Sequence, residues 1–276
     1  MRARAITVCL APGVLSCQVA TAQQPPAPTG AAAAMDQRLV LSTDGSTLSG
    51  GSGGGGGSAT WVGSITTDAV IGAGADYQQI ASAHWTTGVL SGSLGLGPAD
   101  HKTHLYAEAH EGSGDIGTHA FHYSLAVAGV LGALTPRLSV QLEERRIDID
   151  TSHGNLPKLG LSLRVTAQLL ASVSYAYSLG GNLGTKLTTL RLDYSGQSLS
   201  ALAGAAWGPA APAVFDLFGQ VVRPGPTLSE GFVGIGKPVG HTDWLLVGDY
   251  QDVGGTRRTS VTLACTVHLR ARGQPK

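Results

Sequence analysis

From Ser58 onward, apolar residues recur at every second position, and few other patterns limit a chain's fold so tightly. In His104–His110, the side chains of His104, Tyr106, Glu108 and His110 share one face, and Leu105, Ala107 and Ala109 share the other. Arg137, Ser139, Gln141 and Glu143 likewise oppose Leu138, Val140 and Leu142, and Val261, Leu263, Cys265, Val267 and Leu269 oppose Thr262, Ala264, Thr266 and His268. The same alternation runs through Leu169–Leu179, Lys186–Tyr194 and Trp244–Val253. A helix would scatter these apolar residues around its circumference, whereas a strand gathers them on one side. The pattern predicts β-strands throughout.

Turn-forming residues punctuate the strands. Leu134–Arg137 and Pro238–Asp243 read as tight turns, and Glu111–Gly117, Asp150–Pro157, Gly180–Thr185, Gly208–Ala213 and Asp252–Thr256 as longer polar loops. Short turns at one end and longer loops at the other predict antiparallel hairpins closed into an up-and-down barrel. The segments number about 12, with 10 or 14 as the neighbouring even counts.

Composition says where such a barrel would sit. Charged residues make up 13% of the chain and glycine 40 of 276 residues, so the solvent-facing charge of an ordinary soluble domain is lacking. There is no uninterrupted apolar run of the length a membrane helix needs, but a membrane-crossing strand needs only about 10 residues with every second one apolar. The fold class expected is therefore all-β: a transmembrane antiparallel barrel over residues 58–270, followed by a tail over 271–276.

Upstream, Arg2 and Arg4 precede an apolar stretch from Ile6 to Leu15, and Ala20-Thr21-Ala22 offers small residues for cleavage. This is the layout of a bacterial signal peptide over residues 1–22. A second reading takes Val14-Leu15-Ser16-Cys17 as a lipoprotein box with Cys17 acylated. Removal of the leader leaves 16 basic against 18 acidic residues, which argues against a nucleic-acid partner. It also leaves Cys265 without an intramolecular disulfide partner when Cys17 is lost. Residues 23–57 are Gln/Pro/Ala-rich and then Ser/Gly-rich, and they read as a disordered arm. Gly53–Gly57 lacks both the lysine of a phosphate loop and a following helix, so it is expected to be a flexible tether.

With signal peptide, alternation, hairpin rhythm and a final amphipathic strand, residues 58–270 resemble the bacterial outer-membrane β-barrel class. The Gly255-Thr-Arg-Arg-Thr259 lead into the last strand is faintly similar to YaiO-type outer-membrane proteins. The resemblance implies outer-membrane localisation, with membrane lipid, lipopolysaccharide and the barrel-assembly machinery as partners.

Candidate functional residues lie on the polar faces: His104, Glu108, His110, His122, Arg137, Gln141, Glu143, Arg145, Arg164, Arg191 and Asp193. They are expected to line the lumen and to pair across strands, because lone charges in a narrow interior are costly. Six of the nine histidines fall between His84 and His122. Spacings of two and four on a strand separate side chains by about 7 and 13 Å, so one strand cannot chelate a metal, and no metal or cofactor is expected. Ser152 and His153 lack a nucleophile elbow, so no catalytic residue is assigned. Three functions remain open: a narrow passive channel or structural component of the envelope, a barrel enzyme acting on lipid or glycan, and a secreted β-sandwich or adhesin.

Overall fold

The computed structural model describes residues 37–269 except 81–82, 99–102, 150–151, 182–185, 211–213, 216–220, 223–224 and 254–255. The expected signal peptide, the arm over residues 23–36 and the tail over 271–276 lie outside the described residues. Among the described residues sixteen strands follow one another: β1 Gln37–Leu48, β2 Gly53–Ser64, β3 Ala69–Ile80, β4 Ala83–Leu96, β5 Thr103–Ile116, β6 His119–Ala133, β7 Leu138–Ile149 and β8 Ser152–Arg164. Next come β9 Leu169–Tyr177, β10 Lys186–Ser195, β11 Ser200–Ala210, the short pair β12 Val214–Phe215 and β13 Val221–Val222, then β14 Gly225–Val239, β15 Thr242–Val253 and β16 Thr256–Leu269. All but β12 and β13 pair antiparallel with their neighbours in a ring. β1 closes on β16 through a register running from Gln37↔Leu269 to Leu48↔Arg258.

The result is an all-β closed barrel of 14 strands rather than about 12. β1 and the first five residues of β2 come from the stretch expected to be disordered. β1 and β2 place Gln37–Leu48 and Gly53–Ser64 inside the wall, with the glycine run paired to β1 on one side and β3 on the other. The tether assignment is therefore corrected for residues 37–57. Five consecutive glycines are flexible when alone, but here two flanking strands supply the ladder hydrogen bonds that offset their ordering entropy.

At the proximal end, where Gln37 and Leu269 lie, three turns are built alike. In 65–68, 134–137 and 165–168 the hydroxyls of Thr66, Thr135 and Thr166 each accept backbone N–H bonds from two and three residues ahead. The preceding Ile65, Leu134 and Val165 each donate an N–H to the carbonyl of the residue that opens the next strand. This apolar-Thr-x-x sequence is a recurring turn signal of the threonine type. At 240–241 the turn uses Gly240 at φ 64°, a left-handed conformation that favours glycine.

The distal end differs from expectation. Much of Glu111–Gly117 and Asp150–Pro157 extends as strand in β5 and β8, so those connections are short. The extended distal connections are 178–185 and 211–224, the latter carrying the β12–β13 pair.

The outer wall carries an apolar belt including Leu90, Leu142, Leu161, Leu192, Val233 and Leu263, all exposed. Aromatic rings mark its edges. Trp61, Tyr194 and Trp244 point outward near the proximal turns, and Tyr77, Tyr175, Tyr177, Trp207 and Tyr250 point outward farther along their strands. Two girdles around an apolar band are the exterior of a membrane barrel.

Candidate functional site in the barrel interior

Beyond the distal girdle, on β4 to β8, the inside and outside exchange polarity. On β7, Leu138, Val140 and Leu142 face outward, while farther along Glu144, Arg146 and Asp148 face outward and Ile147 is wholly buried inside. β4 switches likewise, from outward Leu90, Leu94 and Leu96 to inward Val89 and Trp85. The inward Trp85, Phe121, Tyr123, Leu125, Ile147 and Leu156 form a buried apolar patch on the distal inner wall. With Glu144, Arg146 and Asp148 outside and apolar residues inside, this part of the wall has the polarity of a soluble sheet.

The switch explains one misplacement. His122 was expected in the lumen, but it sits on the outer face of β6 and pairs with Glu111 at 2.6 Å, both side chains well exposed. Beside it on the same strand Phe121 and Tyr123 take the inward positions. Arg137 also differs from expectation, lying in the exposed 134–137 turn. His104, Glu108, His110, Gln141, Glu143, Arg145, Arg191 and Asp193 lie on inward faces of β5, β7 and β10. Arg164 ends β8 in an exposed position, its N–H bonded to the Arg137 carbonyl at 2.7 Å.

Glu143 organises one side of the lumen. Its Oε1 accepts from Arg145 Nε at 2.6 Å and from Lys158 Nζ at 3.5 Å, and its Oε2 accepts from the Tyr106 hydroxyl at 2.6 Å and Gln141 Nε2 at 3.1 Å. Gln141 Nε2 also lies 2.6 Å from the Tyr106 oxygen. Glu108 and His110 are in contact at 3.3 Å beside this network. On β10 the Arg191 guanidinium holds Asp193 through Nη2 at 2.6 Å and Nε at 2.9 Å. Charges of both signs are thus neutralised in place, as buried ions require.

These contacts depend on glycines. Tyr106 on β5 reaches Glu143 on β7 by crossing Gly129 on β6, where a Cβ would stand 2.3 Å from the ring. Tyr123 crosses Gly112 to meet the Thr87 hydroxyl, and Gln78 crosses Gly56 to donate to Asp44 Oδ1 at 2.9 Å. In each case the three residues stand in one cross-strand row, and only a missing side chain lets the outer two meet. Gly56 belongs to the glycine run, which therefore has a structural role in the wall.

The opposite wall has a different character. Seven strands round the ring from β7, β16 carries Arg258, which is 2% exposed, and nearby inward positions carry Asp249, Ser46, Asp44, Gln78 and Asp76. Sequence reasoning missed Asp44 and Ser46 because β1 was not read as a strand, and Arg258, Asp249, Gln78 and Asp76, although on stretches read as strands, were not singled out. Their signal was available in Arg38-Leu-Val-Leu-Ser-Thr-Asp44, where Leu39 and Leu41 oppose Arg38, Ser42 and Asp44. Among the described residues no group of three or more His, Cys, Asp or Glu side chains is placed to hold a metal.

No family model matches this sequence, and no curated protein matches it. Solved structures share its fold. A TodX monoaromatic hydrocarbon channel mutant lacking S2 is 9% identical, with a TM-score of 0.55 over 87% of this chain and 91% of that one. A FadL homologue from Pseudomonas aeruginosa is 10% identical, with a TM-score of 0.53 over 85% and 90%. The Pseudomonas putida toluene transporter TodX is 9% identical, with a TM-score of 0.51 over 86% and 90%. The chain has the porin-like fold of bacterial outer-membrane β-barrels. These likenesses carry the barrel class of the sequence resemblance and not its YaiO-type component.

Proposed function

We propose that the protein is an outer-membrane barrel acting as a narrow passive channel for small solutes. The observation that carries this reading is the polar, charge-bearing interior inside an apolar, girdled exterior. A barrel that served only as a wall would gain more from an apolar filling, since buried ion pairs are weak contributors to stability. Pairing of Glu143 with Arg145 and Lys158, and of Arg191 with Asp193, supports a constricted path rather than a wide pore. The proximal end, holding both ends of the described chain, is periplasmic in this reading, and the polar-walled distal hairpins project outside. Outer-membrane lipid and lipopolysaccharide solvate the belt, and the barrel-assembly machinery inserts it. Catalysis is not part of this reading, since Ser152 and His153 simply begin β8 within the β7–β8 hairpin.

A second reading, a structural or assembly component of the envelope, is favoured by one observation. Trp85, Leu125, Ile147, Gln78 and Gln251 all face inward with 2% exposure or less, so much of the interior is filled. Planar-bilayer recording separates the two. Small, discrete conductance steps support the narrow channel, and a silent bilayer with a correctly folded barrel supports the structural role. Steady nanosiemens-scale conductance would make the protein a general porin and overturn both.

A further inference from the structure

The inner wall formed by β15, β16, β1 and β3 gathers polar groups whose hydrogen-bonding capacity is unused. Arg258 is 2% exposed, and its Nε, Nη1 and Nη2 have no hydrogen-bond partner among the described residues. The same holds for Asp44 Oδ2, Asp76 Oδ2, Asp249 Oδ2, Gln78 Oε1 and Ser46 Oγ. A buried guanidinium with all its nitrogens idle is costly, and so is each buried carboxylate oxygen. Most of the other charged groups in the lumen are satisfied, Glu143 by four donors and Asp193 by Arg191. The idle groups therefore cluster on one wall.

Pairing registers make this a single patch. Ser46 and Asp249 both stand opposite Ser260, Arg258 stands opposite Leu48, and Asp44 stands opposite Gly56, which in turn stands opposite Gln78. The residues between the charged groups are small: Gly54, Gly56, Ser58 and Ser260 face inward. Glu230, buried in the row of Arg258 beyond Gln251, adds a carboxylate at the level of the guanidinium, and the other carboxylates lie at successive levels toward the proximal end. Arg258 lies at the level of Leu48, Asp249 one step toward the proximal end at the level of Ser46, Asp44 a further step away, and Asp76, level with Ser42, one step beyond Asp44. Steps of two residues correspond to about 7 Å, so Asp44 stands about 13 Å and Asp76 about 20 Å from the level of Arg258.

We propose that this patch binds a basic amino acid, its carboxylate on Arg258, its α-ammonium at Asp249 and its side-chain cation at Asp44. Four carboxylates, those of Asp44, Asp76, Asp249 and Glu230, against one guanidinium select a solute with more positive than negative groups. Their separation selects one whose charges lie at opposite ends. A polyol would meet the hydrogen bonds but leave the charges uncompensated. The fork of Arg258 suits bidentate capture of a carboxylate. The proposal rests on the channel reading and names the solute class of that lumen.

The test is titration calorimetry on the full chain refolded in detergent, with heat-modifiable gel migration as the check of folding. L-lysine should bind saturably, cadaverine (the same diamine without the carboxylate) at least about 10-fold more weakly, and acetate or sucrose not at all. Arg258→Met should weaken lysine about 10-fold or more and abolish its advantage over cadaverine. Asp44→Asn should weaken lysine and cadaverine alike. Should Arg258→Met fail the folding check, Arg258→Lys replaces it and is expected to reduce the lysine advantage. Equal affinity for lysine and cadaverine, binding of sucrose, insensitivity to Arg258 or absence of saturable binding would each overturn the site. Lysine uptake into proteoliposomes is scored separately. Binding without uptake defeats the channel and leaves the site, whereas uptake without saturable binding defeats the site and leaves the channel.

Discussion

Tyr106 donates its hydroxyl to Glu143 Oε2 at 2.6 Å from two strands away, over the bare backbone of Gly129. Gly129→Ala would place a methyl 2.3 Å from the Tyr106 ring and force it off Glu143. The expected cost is about 1–3 kcal/mol, read from urea unfolding in detergent. Gly231→Ala, where nothing lies within 4 Å of the new methyl, should be close to neutral. Equal effects of the two would show that the crossing contributes nothing.

Glu143 neutralises Arg145 and Lys158 together, so its removal should be felt twice. Glu143→Gln leaves two cations facing the lumen with weaker partners, and a loss of about 3–5 kcal/mol is expected. In bilayers the reversal potential under a salt gradient should move toward anion preference. An unchanged reversal potential would place the network away from the conducting path.

The glycine run is a wall strand, so its deletion is expected to abolish folding. Loss of Gly50–Gly57 removes five of the eleven residues of β2 that pair with β1 and four of the eleven that pair with β3, and the ring cannot close. Gly56→Ala is the milder test: its methyl would stand 2.2 Å from the Gln78 amide that bonds Asp44. A destabilisation of about 1–3 kcal/mol is expected there. Survival of the heat-modifiable band after the deletion would contradict the strand assignment.

The polarity exchange along β7 predicts a three-part pattern of arginine tolerance. Val140→Arg should cost about 2–4 kcal/mol if near the bilayer midplane. Asp148→Arg, on the same outward face but beyond the distal girdle, should cost less than about 0.5 kcal/mol. Ile147→Arg should be severe, because the side chain is wholly buried in the distal apolar patch. A tolerant Ile147 and an intolerant Asp148 would mean that the membrane extends to the strand tip.

Alternation, the turn rhythm and the low charge content together determined that this chain is an antiparallel barrel with apolar residues such as Leu138, Val140 and Leu142 outward, because side-chain direction in a strand depends only on parity. The same local rule placed Glu143, Arg145, Arg191 and Asp193 inside. It also held the clue to the polarity exchange, since the apolar parity of β7 shifts across Glu143-Glu144-Arg145-Arg146. What local pattern could not supply was the medium on each side. His122 was misassigned because a polar residue faces the lumen within the membrane but water above it, and only the position of the girdles distinguishes the two. Strand count failed for a related reason. Gly53–Gly57 has no strand propensity of its own, and it is held extended only because β1 and β3 flank it in the closed ring. The bond from Gln78 to Asp44 and the clustering of Arg258 with Asp249 likewise arise from closure. It brings strands from opposite ends of the chain into one wall, a relation that no window of sequence contains.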